Sequence, residues 1–326
     1  MIRFFAHANY DFIGARRYAY GVTAALFALS LFALIVFHLN YSIEFTGGTL
    51  LQVKSPVATD VAAIRSALDA QGLHGAEIQA FGAPGEFIVR ARTAKEGTDA
   101  DNTQTTANAV GAALDQAVGH GTYTIERTEA VGPKVGGELR TKALLAIVYS
   151  FVAVLLYLAY RFEWRFGLAA IAATAHDIIL TIGFIALMRL EVSLIVVGAV
   201  LSMVGYSLND TIIIFDRVRE NLHKYKRYHF SDVLNRSVNE TLPRSVLTHG
   251  TALATLTALA VFGGEVIRPF ALVMFFGVFT GTFSSIYIAS PVLMWIEHKW
   301  PGADARGVKT LAAKPATTKE PVGAKG

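Results

Sequence analysis

Six stretches of this chain are apolar for too long to form ordinary core elements: Tyr18–Leu39, Ala143–Tyr160, Phe166–Leu187, Val192–Phe215, Val246–Phe262 and Pro269–Ile296. A run of about 18 or more apolar residues crosses roughly 30 Å of hydrocarbon as a helix. The composition agrees, since 53% of the 326 residues are hydrophobic and 17% are charged, against about 45–50% apolar in soluble domains. The bilayer is therefore the solvent for most of this protein. Arg16-Arg17 before the first run would suit a signal peptide, but the run is longer than a signal h-region and no small-residue cleavage site follows at Asn40. It reads as an uncleaved anchor.

The net charge of +4 is no sign of nucleic-acid binding, because its distribution matches the positive-inside pattern of membrane proteins. Arg3, Arg16 and Arg17 precede the first span, and Arg161 and Arg165 join the second and third. Arg217, Arg219, Lys224, Lys226, Arg227, Arg236 and Arg244 crowd a basic loop between the fourth and fifth. These segments share one face, which reads as cytoplasmic; the basic loop reads as the positive-inside signal, with binding of anionic lipid or a cytoplasmic partner as the lesser alternative. With no cysteine, the chain has no disulfide framework, thiolate metal site or cysteine nucleophile. It also lacks a glycine-rich loop ending in Lys-Ser/Thr, which argues against ATP binding through a P-loop.

The expected layout is a cytoplasmic N-terminus over 1–17, a first span over 18–39, an outer domain over 40–140, spans two to six over 141–296 and a disordered cytoplasmic tail over 297–326. The outer segment alternates as strand Thr49–Lys54, helix Asp60–Gln71, strands Ala76–Phe81 and Glu86–Arg92, helix Asn102–Val118 and strand Tyr123–Thr128. This βαββαβ order is ferredoxin-like. Thr59-Asp60 starts the first helix, Gly72 stops it, and Gly82–Gly85 links the two inner strands. Lys95–Thr106 is polar and reads as a loop, while the Pro/Ala/Lys/Thr-rich tail has too little apolar surface to order itself. The fold class is a polytopic α-helical membrane protein with an inserted α+β domain.

Ionisable groups inside a span cost on the order of 2.5–3.5 kcal/mol each, so each needs a partner or a wet cavity. His176-Asp177 lies in mid-span three and Asn209-Asp210 towards the cytoplasmic end of span four. Helical spacing makes stripes of Thr174, Asp177 and Thr181 on span three and of Gly198, Ser202, Gly205 and Asn209 on span four. A third stripe on span five holds Arg244, Thr248, Thr251 and Thr255. Small and hydroxyl residues of this kind are expected to face into the bundle. Asp210 and Arg244 either pair in a way that depends on the proton of Asp210 or simply clasp two helices. His176-Asp177 suits an interhelical hydrogen bond as well as a proton path, whereas zinc or iron lacks a third ligand. Gly277 and Gly281 form a packing GxxxG, and Phe45-Thr46-Gly47-Gly48 a tight turn at the membrane exit.

Together, Phe45-Thr46-Gly47-Gly48, Val131-Gly132-Pro133, Gly137-Glu138-Leu139, Ala175-His176-Asp177 and the block from Gly205-Tyr206-Ser207-Leu208-Asn209-Asp210-Thr211 into Phe215-Asp216-Arg217 resemble the SecD/SecF family. Asn239-Glu240-Thr241-Leu242-Pro243-Arg244-Ser245, Phe262-Gly263-Gly264 and Gly281-Thr282-Phe283-Ser284-Ser285 continue the resemblance to about Trp295. The resemblance implies half of a resistance-nodulation-division (RND) bundle in the bacterial inner membrane, both termini cytoplasmic. It implies SecD, the SecYEG channel, YajC and SecA-dependent exported polypeptides as partners, and a proton-driven role in export without ATP hydrolysis. Asp210 and Arg244 match the family's proton-passage groups, with Asn209, Asp177 and His176 beside them. No cofactor or metal is expected. The chain departs from the family at Ser245 and at His249, a titratable addition with no assigned role. A small-molecule exporter of the RND type is the alternative function, followed by a membrane scaffold. An intramembrane aspartyl protease is disfavoured, because neither Asp177 nor Asp210 has a Gly-x-Gly-Asp context.

Overall fold

The computed structural model describes residues 5, 8–55, 60–74, 76–80, 85–91 and 99–302. Among the described residues, six helices, or helix series, are long and apolar enough to span a membrane. They are α1 (Arg16–Phe37), α5 (Pro133–Arg161), α6 (Trp164–Leu187), α7 (Leu194–Lys224), α8 (Phe230–Phe262) and a broken sixth. The sixth consists of α9 (Gly264–Ser284), a π-helical turn at Ser285–Ala289 and α10 (Ser290–Lys299). The third, fourth and sixth spans form the centre, about half buried at 56%, 50% and 56%, whereas the first two are only 11% and 6% buried. A multi-pass bundle therefore surrounds α6, α7 and α9.

Close approach at that centre follows from glycine. A Cβ on Gly277 would sit 2.0 Å from Met203, and one on Gly281 2.9 Å from Ser207, so the expected GxxxG is where α9 meets α7. Gly183 meets Ser30 in the same way and seats α1 on α6.

At one end α7 and α8 extend to 31 and 33 residues, longer than about 20 residues needed to span. The basic segment Arg217–Arg244, expected as a loop, is thus mostly a helical hairpin. Its charges mask a continuing apolar stripe, in which Val218, Leu222, Val233, Leu234 and Val238 are buried. Asn221 Nδ2 donates to Ser237 Oγ at 3.0 Å and to Glu240 at 2.9 Å across this hairpin. The N-terminal arm lies against it, with Asn235 and Asn239 bonding the backbone of Tyr10.

The tail is ordered further than expected. Glu297 is 3% exposed, pairs with Arg165, and accepts from Gly302 N–H at 3.0 Å. Residues 303–326, where most of the expected disordered tail falls, lie outside the described residues.

The inserted domain contains β2 (Gly48–Lys54), α3 (Val61–Ala70), β3 (Glu77–Ala80), β4 (Glu86–Ala91), α4 (Asp99–Ala117) and β5 (Thr124–Val131). The sheet order is β3-β4-β2-β5, antiparallel throughout. Leu51, Val53, Phe87 and Val89 pack under Ile64 and Leu68 of α3 and Val110 and Leu114 of α4. Asp60 caps α3 by accepting from Ala62 N–H at 2.9 Å, and Gly72 follows its end with φ 77°. Thr59 and the link at 81–84 lie outside the described residues, as do 95–98. Asp99–Thr106, expected as a loop, is helical, since no glycine or proline interrupts it. α5 also starts earlier than expected, at Pro133 after the extended Gly132, a favoured first-turn place for proline.

The domain is tied to the bundle beside the first span. β1 (Asn40–Tyr41) pairs in parallel with β6 (Glu191–Val192), which links α6 to α7. A short helix, α2 (Ile43–Thr46), follows, and Glu44 accepts from Leu194 N–H at 2.6 Å at the start of α7. Gly47 and Gly48 then take φ of 72° and 131°, and a Cβ on Gly48 would lie 2.9 Å from the Ala91 carbonyl. Only glycine fits this turn into β2. Arg90 of β4 pairs with Glu191, so sheet and bundle share one ion pair.

Burial raises the Glu191 carboxyl above its ordinary range, opposed by Arg90 and reinforced by Glu44 and Glu77. An acid raised on folding holds its proton more tightly in the folded state. Its contribution is therefore greatest below the ordinary carboxylate range and declines as pH rises through the raised value. The β1–β6 bond from Ser42 N–H to Val192 O, 3.0 Å long, should open more readily across that window. Hydrogen exchange corrected for intrinsic rate should show this pH dependence in the native chain and a flattened one in Glu191→Gln; equal dependence in both would refute it.

Candidate functional site

The candidate site is built from two carboxylates within the spans. α6 turns Thr174, Asp177 and Thr181 inward, at 2%, 0% and 0% exposure, so the expected stripe on span three faces the bundle. Asp177 Oδ2 accepts from Ser207 Oγ of α7 and from Ser284 Oγ of α9, each at 2.6 Å. Its Oδ1 lies 2.9 Å from His176 Nδ1. Asp177 therefore joins three spans through hydroxyls.

Asp210 is 2% exposed. Ser245 Oγ of α8 donates to its Oδ1 at 2.5 Å, and Ser285 Oγ, at the start of the π turn, to its Oδ2 at 3.0 Å. Ser207 and Asp210 stand three residues apart on α7, about 4.5 Å along its axis. Adjacent serines on the sixth span thus serve carboxylates on two other spans.

The remaining expected residues fall differently. Arg244 is exposed and forms no ion pair with Asp210 among the described residues; its neighbour Ser245 makes the contact. One residue along a helix turns the side chain by about 100°, so the inward face of α8 carries Thr241, Ser245 and His249 instead of Arg244, Thr251 and Thr255. Thr251 and Thr255 bond carbonyls of their own helix. On α7, Ser202, Gly205 and Asn209 are exposed in this chain, contrary to the expectation that they face inward. His249 is 5% exposed, with its ring 5.4 Å from that of Tyr206. His249 Nδ1, His176 Nε2 and Thr181 Oγ1 are buried without hydrogen-bond partners. Among the described residues no cluster of His, Asp and Glu could hold a metal.

Sequence reasoning missed the four serines as site residues. Their signal was slight: Ser207 stands one turn before Asp210, and Ser284-Ser285 interrupts an apolar run.

Residues 110–299 match the family described as Protein export membrane protein SecD/SecF, C-terminal, and residues 32–55 match the SecD/SecF GG Motif. A relative from Gemmatimonas aurantiaca, Protein translocase subunit SecF, is 53% identical over 98% of this chain and 97% of its own. The chain belongs to the SecF family. The SecF of Vibrio alginolyticus is 39% identical over 91% of this chain and 94% of its own. The crystal structure of SecDF, a translocon-associated membrane protein from Thermus thermophilus, matches with a TM-score of 0.78 and 34% identity. That match covers 90% of this chain and 40% of the solved one, so this SecF-family chain spans well under half of that protein. The matched GG motif contains Gly47 and Gly48, the two positive-φ glycines that lead into β2.

Because Gly277 lets α9 close onto Met203 of α7, a side chain at Gly277 should separate the two helices. Gly277→Leu is expected to destabilise the detergent-solubilised chain by about 1–3 kcal/mol, as overpacking does. Gly205→Ala, with open space around its Cβ, should leave it nearly unchanged. Thermal melting compares them, and equal midpoints would refute the close-packing account.

Proposed function

We propose that this chain acts in protein export beside SecD and uses the proton-motive force, with Asp210 as its principal proton-binding group. The observation that carries this reading is a carboxylate at 2% exposure inside the fourth span, held by two hydroxyls and by no cation among the described residues. Such a group can take up and lose a proton without breaking an ion pair, while its hydrogen bonds change each time. One charge moved across the membrane potential supplies about 2.3 kcal/mol per 100 mV. Asp177 with His176 is the second proton-binding pair. Asn209 beside Asp210, and Arg244 near the same end of the bundle, form its exposed approach.

In this reading the chain lies in the bacterial inner membrane with both termini cytoplasmic, as its basic segments support. The inserted domain is ferredoxin-like and periplasmic, supported by its βαββαβ order and the β3-β4-β2-β5 arrangement. SecYEG, YajC and SecA-dependent exported polypeptides are the further partners, and no ATP is hydrolysed by this chain.

Asp210→Asn keeps the shape and removes the charge. In inverted membrane vesicles containing the chain and its SecD, this variant should lower both proton flux and completion of precursor export to the level of vesicles lacking the chain. Native flux and export in the variant would refute the reading; lost efflux of small molecules with intact export would point to a transporter.

A further inference from the structure

Ser284 and Ser285, adjacent on the sixth span, donate to the two buried carboxylates, which stand on two other spans. A serine hydroxyl has a single hydrogen to donate and can also accept. When both carboxylates are ionised, Ser207, Ser245, Ser284 and Ser285 all donate to them. A proton arriving on a carboxylate makes that oxygen a donor, so the hydroxyl facing it must turn and accept. Its own hydrogen then needs another acceptor, because a buried hydroxyl without one is costly.

Among the described hydrogen bonds, only the two serines of the sixth span have that second acceptor. Ser285 Oγ lies 3.1 Å from the Thr282 carbonyl, and Ser284 Oγ lies 3.2 Å from the Gly281 carbonyl. Both carbonyls belong to the last turn of α9, directly before the π turn. Single π turns inside helices are frequent at functional sites.

We propose that Ser284 and Ser285 are the switching hydroxyls of this site: each donates to its aspartate when that group is ionised, and accepts from it when protonated while donating to the carbonyl one turn back. The proton ends on a carboxyl oxygen and no other covalent bond changes. Protonation of Asp210 is thereby felt at the α-to-π junction, and through the adjacent Ser284 at Asp177. The inference rests on the proton-coupled reading above. Among the described residues, the other polar groups near the carboxylates are Ser245 at Asp210, with Tyr206 on the same helix and His249 against Tyr206, and Ser207 and His176 at Asp177, with Thr174 and Thr181 on the same face of α6; Arg244 is exposed.

The test measures proton flux against pH in vesicles holding the chain with its SecD, for Ser284→Ala, Ser285→Ala, Ser285→Thr and Asp210→Asn. Removing a donor that favours the ionised carboxylate should move the half-maximal pH upward by about one unit, and Ser285→Thr, which keeps the hydroxyl, should restore it. Infrared spectra should show the protonated-carboxyl band shifted in both alanine variants, a readout that a purely packing role would not move. Should the alanine variants fail to accumulate, Ser285→Cys, similar in size with a weaker donor, gives the same comparison. Unchanged half-maximal pH and carboxyl band, with flux still abolished by Asp210→Asn, would overturn the serine assignment alone. Native flux in Asp210→Asn would overturn the proton-coupled reading itself.

Discussion

The fully buried carboxylate of Asp177 sets the geometry of this bundle. A polar group in hydrocarbon must be satisfied by protein, and its two hydroxyl donors come from two other spans. Those contacts require α6, α7 and α9 to approach closely, and α9 achieves this by presenting Gly277 and Gly281 to α7. Apolar packing alone would not fix that register, since lipid tails are as apolar as leucine. The hydroxyl bonds do fix it, because sliding α9 by one turn would leave Ser284 opposite a different layer.

The same helices connect the carboxylates to the inserted domain. α7 is continuous from Leu194 to Lys224, so Asp210 stands sixteen residues, about 24 Å, from its beginning. That beginning is held by Glu44, just before the two glycines that lead into the sheet. α6, which carries Asp177, ends at Leu187, close to β6 and the Glu191–Arg90 pair. A displacement of either helix along its axis therefore acts on backbone and ion-pair contacts of the domain with few residues between.

The sequence disclosed the spans and the strand–helix order because both are written in runs of residues, and Asp177 and Asp210 because a charge inside an apolar run is an anomaly. It concealed the extensions of α7 and α8, whose exposed faces carry so many charges that the buried stripe through Val218, Leu222 and Val238 is hard to see. It also misdirected the partner of Asp210. Arg244 is the conspicuous residue, yet Ser245 lies on the inward face, and one position of helical phase separates a cation from a hydroxyl. Serines in spans commonly bond their own helix, so Ser284 and Ser285 gave little sign that they also reach two other helices.

The π turn explains how a single span meets these separate demands. In an uninterrupted α-helix, everything beyond the turn would be offset from its observed place by about one residue's step, roughly 100° and 1.5 Å. Gly277 and Gly281 before the turn are committed to α7, and Glu297 after it is committed to Arg165 on α6. Both commitments are met with the wider turn between them, where Ser290 Oγ bonds the Ser285 carbonyl at 3.0 Å. A buried ion pair is costly to break, so Arg165 and Glu297 hold the far half of the span in phase while the glycines hold the near half. The serines that touch both carboxylates therefore sit where the sixth span is wound differently from either side, held at both ends and hydrogen-bonded to the two groups whose charge can change.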